Sequence, residues 1–166
     1  VARTVRELGA IDVLVNNAAF QVHAEDFLDL SPEHFDETVK TNLYGYFYLA
    51  KAAAPHMKPG SAIIATGSVV GLLGNKDLLD YSMTKGGVTL FTKSTALEFG
   101  RKGYKIRVNS IHPGLIETDM GQQTFVMRAR QVGTNDTEKA REATLAMHPI
   151  GRLGQAIDIA KGIVFL

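Results

Sequence analysis

Three short segments, each with several β-branched residues, divide the chain. They cover residues 11–15, 62–66 and 106–111. Short segments of this composition are typical of strands, and the strands of parallel sheets are buried on both faces. The pattern therefore predicts a parallel sheet at the centre of the fold.

Helical signals separate these three segments. The first helix ends at Gly9, because glycine tolerates the left-handed conformation that closes helices. Ser31 and Pro32 suit the N-cap and the first helical position, so they begin a second helix that continues to Met57 with a bend near Asn42.

Later segments complete the pattern. We expect a helix over residues 80–100, one or two helices in the polar stretch 115–150, and a last helix from residue 155. Strands that alternate with helices form βαβ units, so the fold class is α/β with a doubly wound parallel sheet in one domain, residues 1–166.

Polar residues follow each predicted strand, where ligands bind in sheets of this kind. Asn16 and Asn17 follow the first strand, Ser68 the second and His112 the third.

Tyr81 and Lys85 are spaced to share one face of the third helix. A free phenol has a pKa near 10, and a positive charge within about 4–6 Å lowers it. The pair therefore predicts an acid–base site, although the same spacing also occurs by chance on surface helices.

Composition narrows the classes of protein. Of 166 residues, 45% are hydrophobic and 21% charged, and the formal net charge is +1. This balance, without Lys/Arg clusters, argues against nucleic-acid binding, and no apolar run is long enough to span a membrane. The absence of cysteine excludes disulfides and thiolate metal sites and is compatible with a cytoplasmic location. The five histidines share no metal-ligand spacing, so no metal is expected.

Seven sequence features, taken in order, resemble the short-chain dehydrogenase/reductase family. They are Asn16-Asn17-Ala18, Asn42, Ser68, Tyr81 with Lys85, Asn109, Pro113-Gly114 with Thr118, and the late segment around Arg152 and Asp158. The resemblance covers nearly the whole chain. It implies an incomplete Rossmann-like sheet that holds strands 4, 5 and 6 of the family order, with residues 115–150 as a substrate-side flap.

The resemblance implies an NAD(P)-dependent oxidoreductase that interconverts a secondary alcohol and a ketone by hydride transfer. In this reading Tyr81 is the general acid or base, and Lys85 lowers the pKa of Tyr81 and binds the nicotinamide ribose. Ser68 binds the substrate oxygen. Asn42 holds a water that links Lys85 to solvent.

The implied cofactor is NAD or NADP, and the sequence does not indicate which of the two is preferred. The implied cofactor-binding residues are Asn16, Asn17, Ala18, Tyr81, Lys85, Pro113, Gly114, Ile116 and Thr118. The implied substrate contacts are Ser68, Val70 and Tyr81.

Several of these residues have simpler interpretations. Asn16 and Asn17 suit strand ends at which side chains pair with nearby backbone, and Ser68 suits a turn. Asn42 suits an exposed helix position, and Thr118 suits a helix cap.

The chain also departs from the family pattern. Gly67 stands where a second serine is common, and His112 where asparagine is common. Thr66 and Gly67, with Gly71 and Gly74, resemble a phosphate-binding loop, but the last gap is too long, and Gly71 and Gly74 are expected to shape the substrate wall. The family's own glycine loop is absent, so we expect roughly 60–90 further residues before Val1.

Two functional hypotheses remain open. The first is the oxidoreductase, and the second is a truncated, non-catalytic module that acts through a protein interface. The helices of residues 43–57 and 88–99 carry more apolar residues than one sheet face requires. In the family that the sequence resembles, these helices pair across a two-fold axis, so the resemblance implies a homodimer or homotetramer. The apolar residues singled out are Tyr44, Phe47, Phe91, Ala96 and Phe99.

Overall fold

The computed structural model describes residues 1–166 and contains a three-stranded parallel sheet in the order β1-β2-β3. The strands are β1 (Val13–Asn16), β2 (Ala62–Thr66) and β3 (Arg107–Ile111). Leu14 of β1 pairs in register with Ile63 of β2, which pairs with Val108 of β3. The predicted α/β fold with a parallel sheet is confirmed, and β1 begins later than its sequence segment suggests.

Two compact units divide the chain, residues 1–112 with Leu166 and residues 113–165. The α-helices of the first unit are α1 (Ala2–Leu8), α2 (Pro32–Val39), α3 (Gly45–Ala53), α4 (Val70–Leu73) and α5 (Leu79–Lys102). As predicted, Ser31 caps α2: its hydroxyl accepts from the His34 N–H at 3.1 Å, and Pro32 takes the first helical position.

A π-helical turn, Lys40–Tyr44, joins α2 to α3. It contains Asn42, the residue at which the sequence predicts a bend. Single π turns inside α-helices mark places where the backbone widens to accommodate a side-chain contact, and they are frequent at functional sites.

The main core lies between the sheet and the helices α3 and α5. Its buried members are Ala50, Ala53, Met57, Ile63, Ile106 and Val108. A second cluster joins Tyr46, Ala65 and Val88 closer to the carboxyl ends of the strands. The outer edge of β1 is unpaired, and Val13 is 57% exposed there.

The segment from Gly67 to Gly74 is a loop in the sequence-based prediction, but the structure forms the short helix α4 within it. The α4 backbone packs directly on α5, because a Cβ on Gly71 would lie 2.5 Å from the Lys85 carbonyl carbon. Gly74 ends α4 with φ 75°, a conformation that favours glycine. A tertiary contact between two backbones thus stabilises a helix that local sequence does not reveal.

The second unit contains the helices α6 (Asp119–Gln131), α7 (Thr137–Ala146) and α8 (Ala156–Phe165). The first two confirm that the polar stretch forms two helices. Arg141 pairs with Glu117, and Arg152 binds Asp158 through both of its terminal nitrogens. Across the whole chain, none of the helices has the length and hydropathy needed to cross a bilayer.

Candidate active site

Polar side chains gather at the carboxyl ends of β1 and β2, as the strand order predicts. Asn16 ends β1 and is 2% exposed, while the exposed Asn17 accepts a hydrogen bond from the Thr66 hydroxyl at 2.9 Å. Ser68 follows β2 and is 9% exposed. Parallel strands end at the same edge, so residues distant in sequence meet there.

Tyr81 lies in the first turns of α5 and is 7% exposed. Burial raises the pKa of Tyr81 to about 12, and a hydrogen bond with Ser68 opposes that rise. The sequence predicts a net lowering of this pKa; the net direction is the opposite, because desolvation of the phenolate by burial is the largest effect. The Ser68–Tyr81 hydrogen bond does join two of the residues that the sequence singles out.

Lys85 lies one turn further along α5 and is 1% exposed. Its Nζ donates to the Thr66 carbonyl at 2.6 Å and lies 5.5 Å from the centroid of the Tyr81 ring. Burial lowers the pKa of Lys85 to about 8. A cation over an aromatic face is stabilised by the ring quadrupole, which partly compensates for lost hydration.

Asn42 is fully buried in the π turn, and the alternative of an exposed helix residue is wrong. Its Oδ1 accepts from the Phe20 N–H at 2.7 Å, and its Nδ2 donates to the Phe20 carbonyl at 3.0 Å. Nδ2 also lies 3.0 Å from the hydroxyl of Thr84, the residue before Lys85. Asn42 therefore ties the segment after β1 to the helix that carries Tyr81 and Lys85.

Asn16 offers a polar atom that the chain leaves unpaired. Its Nδ2 donates to the Tyr46 carbonyl at 3.3 Å, but its buried Oδ1 has no hydrogen-bond partner. A buried acceptor without a partner costs free energy, so a donor from a bound molecule would be favoured there. This acceptor fits the idea of a cofactor at the end of β1.

His112, at the end of β3, packs on Gly67. A Cβ on Gly67 would lie 2.5 Å from His112 Nδ1 and Cε1, so the glycine leaves the space that the imidazole fills. His112 Nε2 lies 2.8 Å from the Ser110 hydroxyl, whereas the buried Nδ1 has no partner. Gly67 and His112, which both depart from the family pattern, are therefore in contact with each other.

Neighbouring atoms cover part of the glycine segment after β2. Gly67 is covered by His112, and Gly71 lies against the backbone of Lys85 and Gly86. This close packing supports the rejection of the segment as a phosphate loop, since such loops need open backbone N–H groups.

Comparison with known proteins decides the family. A family model described as enoyl-(acyl carrier protein) reductase matches residues 1–166. The crystal structure of a short chain dehydrogenase family protein from Francisella tularensis is 25% identical, with a TM-score of 0.87 over 99% of this chain and 66% of that chain. The chain belongs to the short-chain dehydrogenase/reductase family.

Other members of the short-chain dehydrogenase/reductase family are similar over the whole chain. Glucose and ribitol dehydrogenase from Daucus carota is 38% identical, covering 100% of this chain and 53% of the relative. NADPH-dependent aldehyde reductase 1, chloroplastic, from Arabidopsis thaliana has the same identity and coverage. The structure of NAD⁺-bound xylitol dehydrogenase is 28% identical, with a TM-score of 0.90 over 99% of this chain and 65% of that one. The chain spans about half the length of the curated relatives it matches.

The remaining family-type positions divide between the two units. Ala18 is exposed after β1, and the Val70 N–H donates to the Ser68 hydroxyl at 3.3 Å in the first unit. In the second unit, Pro113 and Ile116 are half-buried, and Gly114 is exposed. Thr118 caps α6, since its hydroxyl accepts from the Gly121 N–H at 3.2 Å, which agrees with the capping alternative.

The sequence does not single out two buried polar residues of this short-chain dehydrogenase/reductase site. Asp80, beside Tyr81, is 1% exposed and accepts a hydrogen bond from the Thr38 hydroxyl. His34 Nε2 lies 3.3 Å from Asp80 Oδ2, but the two atoms do not have hydrogen-bond geometry. Tyr46 places its hydroxyl 3.5 Å from Lys85 Nζ. The sequence offers one signal for Tyr46, its position four residues after Asn42 on a helical segment.

Proposed function

We propose that this protein is an NAD(P)-dependent oxidoreductase that interconverts a secondary alcohol and a ketone, with Tyr81 as the general acid or base. One observation carries the proposal: the buried Tyr81 phenol is bonded to Ser68, and the buried Lys85 ammonium lies over its ring, 5.5 Å from the centroid. A core does not need a serine, a tyrosine and a lysine in contact, because each costs desolvation energy. Acid–base chemistry does need them.

Tyr81 carries the proton in either direction. In ketone reduction, hydride reaches the carbonyl carbon and the Tyr81 hydroxyl gives its proton to the carbonyl oxygen; in alcohol oxidation, the phenolate takes that proton back. Because burial raises the pKa of Tyr81 to about 12, the group is protonated at neutral pH and suits reduction. We expect the oxidation rate to rise with pH over the alkaline range.

Ser68 and Lys85 support the proton transfer from two sides. The Ser68 hydroxyl, which is bonded to Tyr81, is suited to hold the substrate oxygen, and Val70 is the adjacent substrate contact. The Lys85 ammonium favours the phenolate electrostatically. Nζ uses the Thr66 carbonyl and the Tyr46 hydroxyl as acceptors, which leaves a third N–H for the nicotinamide ribose.

A nicotinamide cofactor supplies the hydride in this proposal. The unpaired Asn16 Oδ1 supports cofactor contact from Asn16, Asn17 and Ala18 at the end of β1. Four family-type residues of the second unit are proposed separately as cofactor contacts. They are Pro113, Gly114, Ile116 and Thr118. Asn42 is proposed to hold the water that relays protons between Lys85 and solvent.

The names of relatives suggest the first substrates to test. They include a glucose and ribitol dehydrogenase and a xylitol dehydrogenase, and both NADPH and NAD⁺ occur in their names. We therefore propose polyols and sugars as the first alcohol substrates, with either dinucleotide as cofactor.

Cofactor binding is the first test. We expect thermal stabilisation of the chain, and a change in NADH or NADPH fluorescence, when either dinucleotide is titrated. Absence of both responses, for both dinucleotides, would falsify the enzyme proposal for this chain.

The role of Tyr81 is tested by Tyr81→Phe, with the exposed Tyr48→Phe as matched control. Removing a general acid is expected to lower turnover of ribitol or xylitol by about 10²–10⁴-fold. The control is expected to leave turnover unchanged, because Tyr48 is 60% exposed on α3. Equal turnover in both variants would reject Tyr81 as the proton donor.

A non-catalytic module that acts through a protein interface is the second candidate, and the groove between α3 and α5 with its exposed aromatic residues is the observation that favours it. Such a module would show no response in the cofactor titration.

We also propose that two copies of the chain associate through α3 and α5. These helices line an open groove of about 760 Å³, flanked by exposed aromatic residues. Of the apolar residues singled out in the sequence, Tyr44 and Phe47 are exposed, whereas Phe91, Ala96 and Phe99 pack partly against the core.

A further inference from the structure

Tyr46 places its hydroxyl beside the Lys85 ammonium. Tyr46 lies on α3 and is 2% exposed, with its hydroxyl oxygen 3.5 Å from Lys85 Nζ. The hydroxyl donates to the Thr66 carbonyl at 3.1 Å, the same carbonyl to which Lys85 donates at 2.6 Å. Nζ also lies 5.5 Å from the Tyr46 ring centroid, as it does from that of Tyr81. The ammonium is therefore held between two tyrosine rings.

Packing explains the Tyr46 ring but not its hydroxyl. The ring joins Ala65 and Val88 in a buried cluster, which a phenylalanine would fill equally well. A buried hydroxyl costs free energy unless it is hydrogen-bonded. Because the single phenolic proton goes to Thr66, the oxygen lone pairs remain free to accept from Lys85.

We propose that Tyr46 is a positioning residue, which holds the Lys85 ammonium against Tyr81 through its hydroxyl oxygen and its ring face. This inference rests on the proposed function, in which Lys85 supplies positive charge to the Tyr81 phenolate. Tyr46 acts through Lys85 and is not proposed to touch the substrate.

The charge state of Lys85 makes this contact important. Burial lowers the pKa of Lys85 to about 8, so the neutral amine becomes accessible near neutral pH. An acceptor that bonds the ammonium favours the charged form and opposes that loss. The titratable groups facing Nζ are Tyr46 from α3 and Tyr81 from α5, while β2 contributes the neutral Thr66 carbonyl. Burial also raises the pKa of Tyr46, which keeps it a neutral phenol.

The test is a titration of Lys85 by NMR in the chain without cofactor or substrate. Lysine is labelled with ¹³C at Cε, and the Lys85 signal is assigned by its absence in Lys85→Met. In Tyr46→Phe, which keeps the ring, we expect the Lys85 midpoint to fall by about half a pH unit or more, because one acceptor for the ammonium is lost. Tyr48→Phe, the same change at an exposed position of α3, is expected to leave it unchanged.

A second measurement uses the unaltered chain, so the inference is decided even if Tyr46→Phe does not fold. With tyrosine labelled at Cζ, the Tyr46 signal is expected to show an inflection at the Lys85 midpoint, since the two groups are in contact. An unchanged Lys85 midpoint in folded Tyr46→Phe, or no such inflection in the unaltered chain, overturns the inference. Neither titration uses turnover, so failure of the proposed activity and failure of this inference are distinguishable.

Discussion

Lys85 links the stability of the chain to pH, because it is a titratable amine in the interior. Its pKa is about 8 when folded and near 10.4 when unfolded. Between these values the unfolded chain binds more protons, so stability rises as the pH increases from about 8 to about 10.4. Tyr81 has the opposite effect: its pKa is about 12 when folded and near 10 when unfolded, so stability falls as the pH increases through that range.

Lys85→Met tests the cost of the buried ammonium. We expect the free energy of unfolding at pH 7 to increase by about 1–3 kcal/mol, because the charge no longer has to be desolvated. The advantage over the unaltered chain is expected to shrink as the pH rises above about 8. Urea unfolding at neutral and alkaline pH measures both effects.

The control for this substitution is Lys93→Met, at an exposed position of α5. We expect the control to leave both the stability at pH 7 and its rise above pH 8 unchanged. If Lys85→Met and the unaltered chain had the same free energy of unfolding at both pH values, burial would not lower the pKa of Lys85 as stated.

At the scale of elements, the contact between α4 and α5 connects Ser68 to the helix of Tyr81. Gly71 makes the contact possible, since its Cβ would meet the Lys85 and Gly86 backbone at 2.5 and 2.6 Å. Ser68 lies just before α4 and bonds Tyr81 on α5. A displacement of α4 would therefore separate two residues of the candidate site.

Gly71→Ala tests this coupling. We expect a loss of about 1–3 kcal/mol in the free energy of unfolding, because backbone atoms cannot make room as side chains do. We also expect a further rise in the pKa of Tyr81 as its bond to Ser68 is lost, measured by the ultraviolet titration of tyrosine.

Gly100→Ala is the matched control, since nothing lies within 4 Å of a Cβ built at this position of α5. Alanine there is expected to stabilise the helix by about 0.5–1 kcal/mol. Equal stability changes in the two variants would contradict the close packing at Gly71.

Local sequence signals predicted the elements whose causes are local. Ser31 and Pro32 specify the start of α2 by capping, and Asn42 marks the helix distortion. The sequence missed α4 because its helix depends on the α5 backbone, which is distant in sequence. The sequence shows that Gly67 departs from the family pattern, but its contact with His112 depends on tertiary packing and appears only in the structure.

In the candidate site too, local sequence predicts the residues that share one element and misses those that depend on other elements. Tyr81 and Lys85 share one helix, so their spacing alone predicted a common face. Tyr46 and Asp80 escaped notice because their partners come from other elements, Lys85 for the first and Thr38 for the second. The pKa direction at Tyr81 was also wrong, since burial depends on the whole packing of the unit.

At the scale of the molecule, the groove between α3 and α5 favours a second copy of this chain as its occupant. Lys51 on α3 and Glu98 on α5 both line the groove, so the groove offers both signs of charge for ion pairs with a second copy. Phe47 of the groove lining is 45% exposed, and two further exposed apolar residues, Leu90 and Leu97, lie on α5.

Phe47→Asp is expected to weaken this association, because Phe47 lines the groove and a carboxylate would be desolvated at an aromatic contact. Sedimentation velocity is expected to give twice 18.0 kDa for the unaltered chain and 18.0 kDa for the variant at the same concentration. Leu73→Asp is the control, since Leu73 is 85% exposed but lies on α4, outside the groove lining. A monomeric unaltered chain would exclude this association. A Leu73→Asp variant that dissociates as readily as Phe47→Asp would place the interface elsewhere. Self-association through α3 and α5 requires that the Leu73→Asp variant remains a dimer while the variant in the groove dissociates.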